Sequence, residues 1–513
     1  MPTIELKMTR IHRFFFSYVL IIWPRYCDIT KMSETYDSEQ LKSEVFDEMQ
    51  TAFGPRVPYE QFYEWFKSED QRLLRKKPKE LDKFFRKTGI TFNVYGESDA
   101  EERLIPFDFI PRIISELRWR KIENGLKQRA NAINAFLSDI YGNQEIIRAG
   151  WIPEELISQN AAFLPEMMGV KPPGGIYTHI SGTDLIRVND EKFVVLEDNV
   201  RTPSGASYMI ENRETMLHMF PELFTRIPVK SVSNYPEQLL KILIASAPAS
   251  ATASPVIGVL TPGVLNSAYF EHAFLADQMG AELIEGTDIK IIDKKLMMRT
   301  TQGYRAVDVI YRRIDDNFLD PLNFNPNSLI GIPGLFDVYR NGAITLANAP
   351  GTGIADDKAV YSFMPEIIKF YTGSTPILEN VETWRCSEEL SLKYVIDNIE
   401  ELVIKEVHGS GGYGLLIGPT SSKKERAIFL RKLRANPSNY IAQPTLSLST
   451  VPIMEKKGLA PRHVDLRPFV LMSPTEVKVT PGGLTRVALK KGSLVVNSSQ
   501  GGGTKDTWVL EGA

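Results

Sequence analysis

Cysteine is nearly missing from this chain: Cys27 and Cys386 are the only two in 513 residues. Two thiols cannot build a disulfide framework or a cysteine-rich zinc centre, and they suit a reducing compartment, so a cytoplasmic protein is expected. The six histidines show no HExxH or comparable metal spacing, which excludes the helical zinc motifs. No excess of one charge exists either. Sixty Lys and Arg against 63 Asp and Glu leave a net charge of −3, which argues against a general polyanion binder, and no nucleic-acid partner is expected. The apolar run Phe14–Trp23, preceded by Lys7, Arg10 and Arg13, has the look of a targeting segment. It falls well short of the roughly 20 residues that span a bilayer, and Pro24-Arg25-Tyr26 makes a poor cleavage site. Residues 1–32 therefore read as an extension of open status, with Met32-Ser33-Glu34 as the favoured translation start.

What is present is ordinary globular material: 43% hydrophobic and 24% charged residues, enough chain for two to four domains. Residues 33–90 read as short helices, Ser38–Thr51 among them. Residues 91–250 carry a long amphipathic helical stretch from Pro111 to Ile140 and two strands about an Asn189-Asp190-Glu191 turn. The small-residue linker Pro248–Pro255 sets off a unit at 255–345, where strand, helix and strand alternate in the manner of a small parallel sheet. Residues 346–513 form the last part. The fold class expected is mixed α/β (α+β).

Chemistry concentrates in three places. Glu197, Asn199 and Arg201 stand at i, i+2 and i+4 of a strand and so share one face, with Asp184 able to reach them from the facing strand. Two carboxylates and an amide offer the hard oxygens that Mg²⁺ takes, and the guanidinium suits phosphate. Further on, Lys405 lies within the apolar strand Leu402–Val407, which enters a loop carrying Gly411, Gly412, Tyr413 and Gly414. Glycines there let backbone N–H groups approach phosphate without Cβ obstruction. The loop leaves as Leu415-Leu416-Ile417, which reads as strand and not helix and so excludes a Walker A or Rossmann turn. Third, Asp356-Asp357-Lys358-Ala359 opens a helix, and Tyr440–Pro444 is a strand ending in Gln443-Pro444. Arg467 and Arg486 sit inside strand-like sequence, where paired carboxylates are the competing explanation for them. Gly501–Lys505 reads as a mobile terminal loop.

The order of these parts, acidic hairpin first and lysines afterwards, resembles the circularly permuted ATP-grasp family, a group similar to the synthetase domain of glutathionylspermidine synthase. The resemblance runs from about Asp37 to Leu510 and rests on Lys171–Gly175, Leu196–Asn199, Arg201–Gly205, Asp356–Ala359 and Gly409–Gly414. It implies a core with an inserted pre-ATP-grasp-like domain at 255–345, using ATP and Mg²⁺ to join a carboxylate to an amine through an acyl phosphate. By the same resemblance Asp184, Glu197 and Asn199 hold the metal. Lys358, Lys405 and the glycine loop contact phosphates, Gln443 adjoins adenine, and Arg467 and Arg486 touch nucleotide. Glutathionylspermidine synthases place an arginine two residues before the metal aspartate, whereas Gly182 stands here, so Arg201 is taken as the stabiliser of the transferred phosphoryl group. The resemblance also implies small-molecule or peptide substrates and, as partners, an α-helical protein and a transglutaminase-like protease. A kinase acting on a hydroxyl group and a non-catalytic scaffold stay open as alternatives. Neither the acceptor nor the oligomeric state is written in the residues.

Overall fold

Pro111 lies inside a strand. The computed structural model describes residues 45–93, 102–407, 414–497 and 501–512. In it Phe107–Ile114 (β1) is buried along its whole length, and the long helix begins only at Glu116, running to Ile140 (α1). A strand buried on both faces has no period to read, which is why the helical pattern of α1 extends misleadingly back into it. β1 ends its sheet and pairs with one neighbour through a register shift opposite Pro111, where a missing N–H does least harm. Further along come Ile180–Arg187 (β2) and Phe193–Asn199 (β3). Half of the expected helix at Ser38–Thr51 lies outside the described residues; the described half, 45–51, is not helical and ends in the short strand Gln50–Thr51.

The unit beginning near residue 255 is a parallel sheet as expected. Ile257–Leu260 (β4) is followed by helix Tyr269–Met279 (α2), then Glu282–Ile284 (β5), Val309–Arg312 (β6) and Thr345–Ala347 (β7). The strand order is β7-β6-β4-β5. Ile289–Ile292, Lys295–Thr300 and Gly303–Ala306 form a separate antiparallel sheet.

A four-stranded lid sheet is built from Leu402–Glu406 (β8), Leu415–Ile417 (β9), Tyr440–Pro444 (β10) and the short strand Trp384–Arg385. Helix Lys423–Ala435 (α3), started by a Ser422/Glu425 capping box, packs Leu433 and Phe429 with Ile404, Leu416 and Tyr440 in the lid's own small core.

The main sheet is completed by Gly458–Arg467 (β11), Leu484–Val487 (β12) and Gly503–Val509 (β13). Its order is Glu379–Asn380, β3, β2, β11, β12, β13, β1. One face of this sheet packs on α1 through Trp119, Ile122 and Leu126 against Leu185, Val195 and Leu466. A buried ion pair, Arg129 to Asp198, fixes the two layers with contacts of 2.6 to 2.9 Å. β13 corrects one expectation. Gly501–Lys505 is not a loose loop: it enters a buried strand, where the Lys505 ammonium is paired with Asp108 and donates to the carbonyls of Ile110 (3.0 Å) and Pro452 (2.8 Å).

Two polar clamps dock the parallel unit on the β2–β3 hairpin. Asn348, just after β7, donates to the carbonyls of Ile180 and Val200 at 2.6 and 2.7 Å and accepts from Ile180 N–H at 2.8 Å. Glu271 on α2 accepts from Ser204, Gly205 and Ser207 and is paired at 2.9 Å with Arg313. The Thr202–Gly205 turn is thereby tied to the neighbouring unit.

Candidate active site

β2 and β3 form an antiparallel hairpin whose register sets Asp184 opposite Glu197 and Gly182 opposite Asn199. Alternation along each strand puts these side chains on one face, while Asp198 points the other way to Arg129. The neighbouring strands continue the row. Leu466 of β11 pairs with Leu185, and Asp465 stands opposite Arg486 of β12. Arg467 donates to both oxygens of Asp184, from Nε at 2.5 Å and Nη2 at 2.8 Å. Arg486 donates to Asp184 at 2.7 Å and also grips Asp465, with Nε 2.9 Å from Oδ1.

These charges drive the two facing carboxyls apart. Burial alone would raise the Asp184 pKa, but Arg467 and Arg486 outweigh it and hold the group well below the usual carboxylate range. Glu197 moves upward: desolvation and the Asp184 charge raise it, and Lys358, Lys405 and Arg467 offset only part of that. Lys405 is desolvated as well, and with Lys358 nearby its pKa falls to about 8 although Glu197 pulls the other way. A lysine poised near neutrality beside acidic groups in a cleft is the kind of perturbation that marks functional sites.

Asp184, Glu197, Lys358, Lys405, Gln443 and Arg486 line a single cavity of about 220 Å³ between the main sheet and the lid. Lys358 arrives from a short helix, Lys358–Tyr361, capped by the Asp357 carboxylate on the N–H groups of Ala359 and Val360. Its backbone N–H donates to the Val407 carbonyl at 3.4 Å, joining this helix to the end of β8. Lys405 Nζ donates to Gln443 Oε1 at 2.7 Å, and Gln443 Nε2 donates to Thr383 at 3.0 Å. The lining also includes the apolar side chains of Leu446, Leu448, Leu494, Val495 and Val496.

Gly414 has φ of +70°, a left-handed conformation that favours glycine, and a Cβ there would push the Glu406 side chain aside. Gly411, Gly412 and Tyr413 lie outside the described residues. Among the described expected site residues, Gly414, Arg467, Asn199 and Arg201 are not on the cavity wall. Arg467 is linked to it through Asp184. Asn199 carries a buried amide nitrogen without a hydrogen-bond partner among the described residues. Arg201 is turned elsewhere, paired with Asp315 at 2.8 Å and Asp356 at 3.6 Å. Asp465 and the segment Leu494–Asn497 also line the cavity, although no sequence motif marks them. The period-two alternation of Asp465 with Arg467 is the one signal that could have pointed to the former.

The donors present fit a divalent ion. Among the described residues no group of three or more His, Cys, Asp or Glu side chains could hold a metal. The two facing carboxylates of Asp184 and Glu197, with the side-chain oxygen of Asn199 on the same hairpin, nevertheless match the sparse protein coordination of Mg²⁺, which is completed by water and phosphate oxygens.

An acidic β-hairpin facing a lysine-bearing lid sheet, in this chain order, defines an ATP-grasp fold of permuted connectivity. The profile of the circularly permuted ATP-grasp type 2 family matches residues 111–488, and the chain belongs to that family. A protein of Synechocystis sp. is 50% identical over 483 residues, covering 94% of this chain and 99% of its own. A protein of Frankia casuarinae with a provisional glutamate–cysteine ligase name is 38% identical over 441 residues, which is 86% of this chain but half of that protein. In fold, the chain is similar to a glutathione synthetase-like effector from Globodera pallida (TM-score 0.54, 10% identity, 86% of this chain and 98% of that one). Among the described residues no helix is long and apolar enough to cross a membrane.

Proposed function

We propose that this protein is an ATP- and Mg²⁺-dependent carboxylate–amine ligase, with amine attack on an activated carboxylate as in the glutathionylspermidine synthases. The observation that carries the reading is the meeting of Asp184, Glu197, Lys358, Lys405 and Arg486 in one cavity that apolar side chains also line. Cations and apolar side chains together suit a nucleoside triphosphate, phosphates toward the cations and base toward Leu446, Leu448 and Val495.

Phosphoryl transfer to a carboxylate needs positioned charge more than covalent help from the protein. Lys358, Lys405 and Arg486 supply positive charge, and Asp184, Glu197 and Asn199 are the residues that would hold Mg²⁺. When bound, the ion neutralises oxygens of the transferring phosphate. Gln443 keeps Lys405 aimed into the cavity, and the lid sheet excludes water that would otherwise hydrolyse an acyl phosphate. The glutamate–cysteine ligase name of one relative agrees with amide formation and leaves the acceptor of this chain open. A screen of amino acids, peptides and polyamines for stimulated phosphate release tests the reading, with Lys405→Ala as control. A ligase gives ADP, phosphate and an amide product; a phosphorylated acceptor in their place overturns it.

A further inference from the structure

Arg467 is placed where a cation between the two acidic strands would sit. Its Nη2 is 2.8 Å from Asp184 Oδ2 and 3.9 Å from Glu197 Oε1, so one guanidinium bridges the two carboxylates. Its methylene stem lies across Gly182: a Cβ on that glycine would be 3.2 Å from Arg467 Cδ and 3.3 Å from Cγ. The bare backbone at 182 is thus what lets an arginine from β11 reach over to Asp184. Its remaining contact is weak, a 3.4 Å bond from Nη1 to the Ser204 carbonyl. Arg486 differs. It is anchored a second time by Asp465, its register partner on β11, and has reason to stay where it is.

We propose that Arg467 is a metal-displaced positioning residue: it neutralises Asp184 and Glu197 while the site lacks a divalent ion, and leaves Asp184 when one binds. The proposal rests on the ligase reading above for its nucleotide. A guanidinium and a divalent ion cannot both occupy the space between the same carboxylate oxygens. The displaced cation is left beside the acidic row with its donors unsatisfied, and a nucleotide phosphate is the anion that can satisfy them. Metal and nucleotide binding are then coupled through one side chain, with metal alone disfavoured and metal with nucleotide favoured. By linkage the coupling is reciprocal.

Mn²⁺ binding to the full chain, read by electron paramagnetic resonance without nucleotide, tests this directly. Arg467→Met removes the competing charge and should bind Mn²⁺ about tenfold more tightly than wild type, while its affinity for ATP in the presence of metal falls by a similar factor. Gly182→Ala keeps the arginine but crowds its stem, and should move both affinities in the same directions by less. If either variant folds and binds free Mn²⁺ no better than wild type, the displacement idea is overturned. If wild type itself binds no Mn²⁺ with ATP present, the ligase reading fails instead, so the two failures are distinguishable.

Discussion

Lys405 of β8 and Gln443 of β10 meet diagonally, Lys405 standing opposite Ile441 and Gln443 opposite Val403, with the ammonium donating to the amide oxygen at 2.7 Å. A neutral partner orients the lysine without cancelling its charge, and Thr383 in turn fixes the glutamine. The lysine charge is therefore kept available for an anion, at the expense of a lowered pKa.

That pKa sets a pH dependence. The Lys405 group titrates at about 8 in the empty protein, and kcat/KM reports groups of the free enzyme. Below that pH the lysine is charged and attracts phosphate; above it the charge is lost. The kcat/KM for ATP should fall as pH rises from 8 to 9.5, and ATP binding near pH 8.5 should take up protons. Lys405→Arg, charged throughout, should flatten the fall. A profile with the same alkaline limb in both proteins removes Lys405 from that role.

Arg129 and Asp198 tie α1 to the back of the acidic hairpin, with side chains 1% and 0% exposed. Removing one partner of a buried pair leaves an unpaired charge, and Arg129→Met is expected to lose about 3–5 kcal/mol of stability. Denaturant unfolding measures it. A loss below 1 kcal/mol would show that water reaches this layer.

Arg201 is held by Asp315 and Asp356 away from the cavity. Arg201→Met should accordingly leave Mg·ATP affinity within about twofold of wild type, the scale of surface contacts. Binding titrations decide the matter, and a tenfold loss would return Arg201 to the phosphate site.

How much of this was legible depends on the range of each interaction. Asp184, Glu197 and Asn199 could be grouped from the sequence because alternation along two strands joined by a short turn fixes their face. Lys405 stood out because an apolar strand seldom carries a lysine without a purpose. The assembly of Arg467, Asp465 and Arg486 around Asp184 was not legible: it requires β11 and β12 to lie beside β2, a pairing across some 280 residues that Arg467 and Asp184 make at separation 283. The direction that Arg201 takes was not legible for a related reason. Its position suits the shared face, but the strand ends at Asn199, and the turn beyond it faces Asp315. Gly501–Lys505 read as a loop because its glycines and polar residues hide a strand whose lysine is paired internally.

The central claim is a Mg·ATP site built on Asp184 and Glu197 under a lysine lid. Isothermal titration of ATP with Mg²⁺ into wild type and Glu197→Gln tests it most directly. The account predicts one site per chain in wild type, weakened at least about tenfold by Glu197→Gln through loss of a charged oxygen donor. Equal affinities in the two proteins, or no binding in wild type at millimolar ATP, would contradict it.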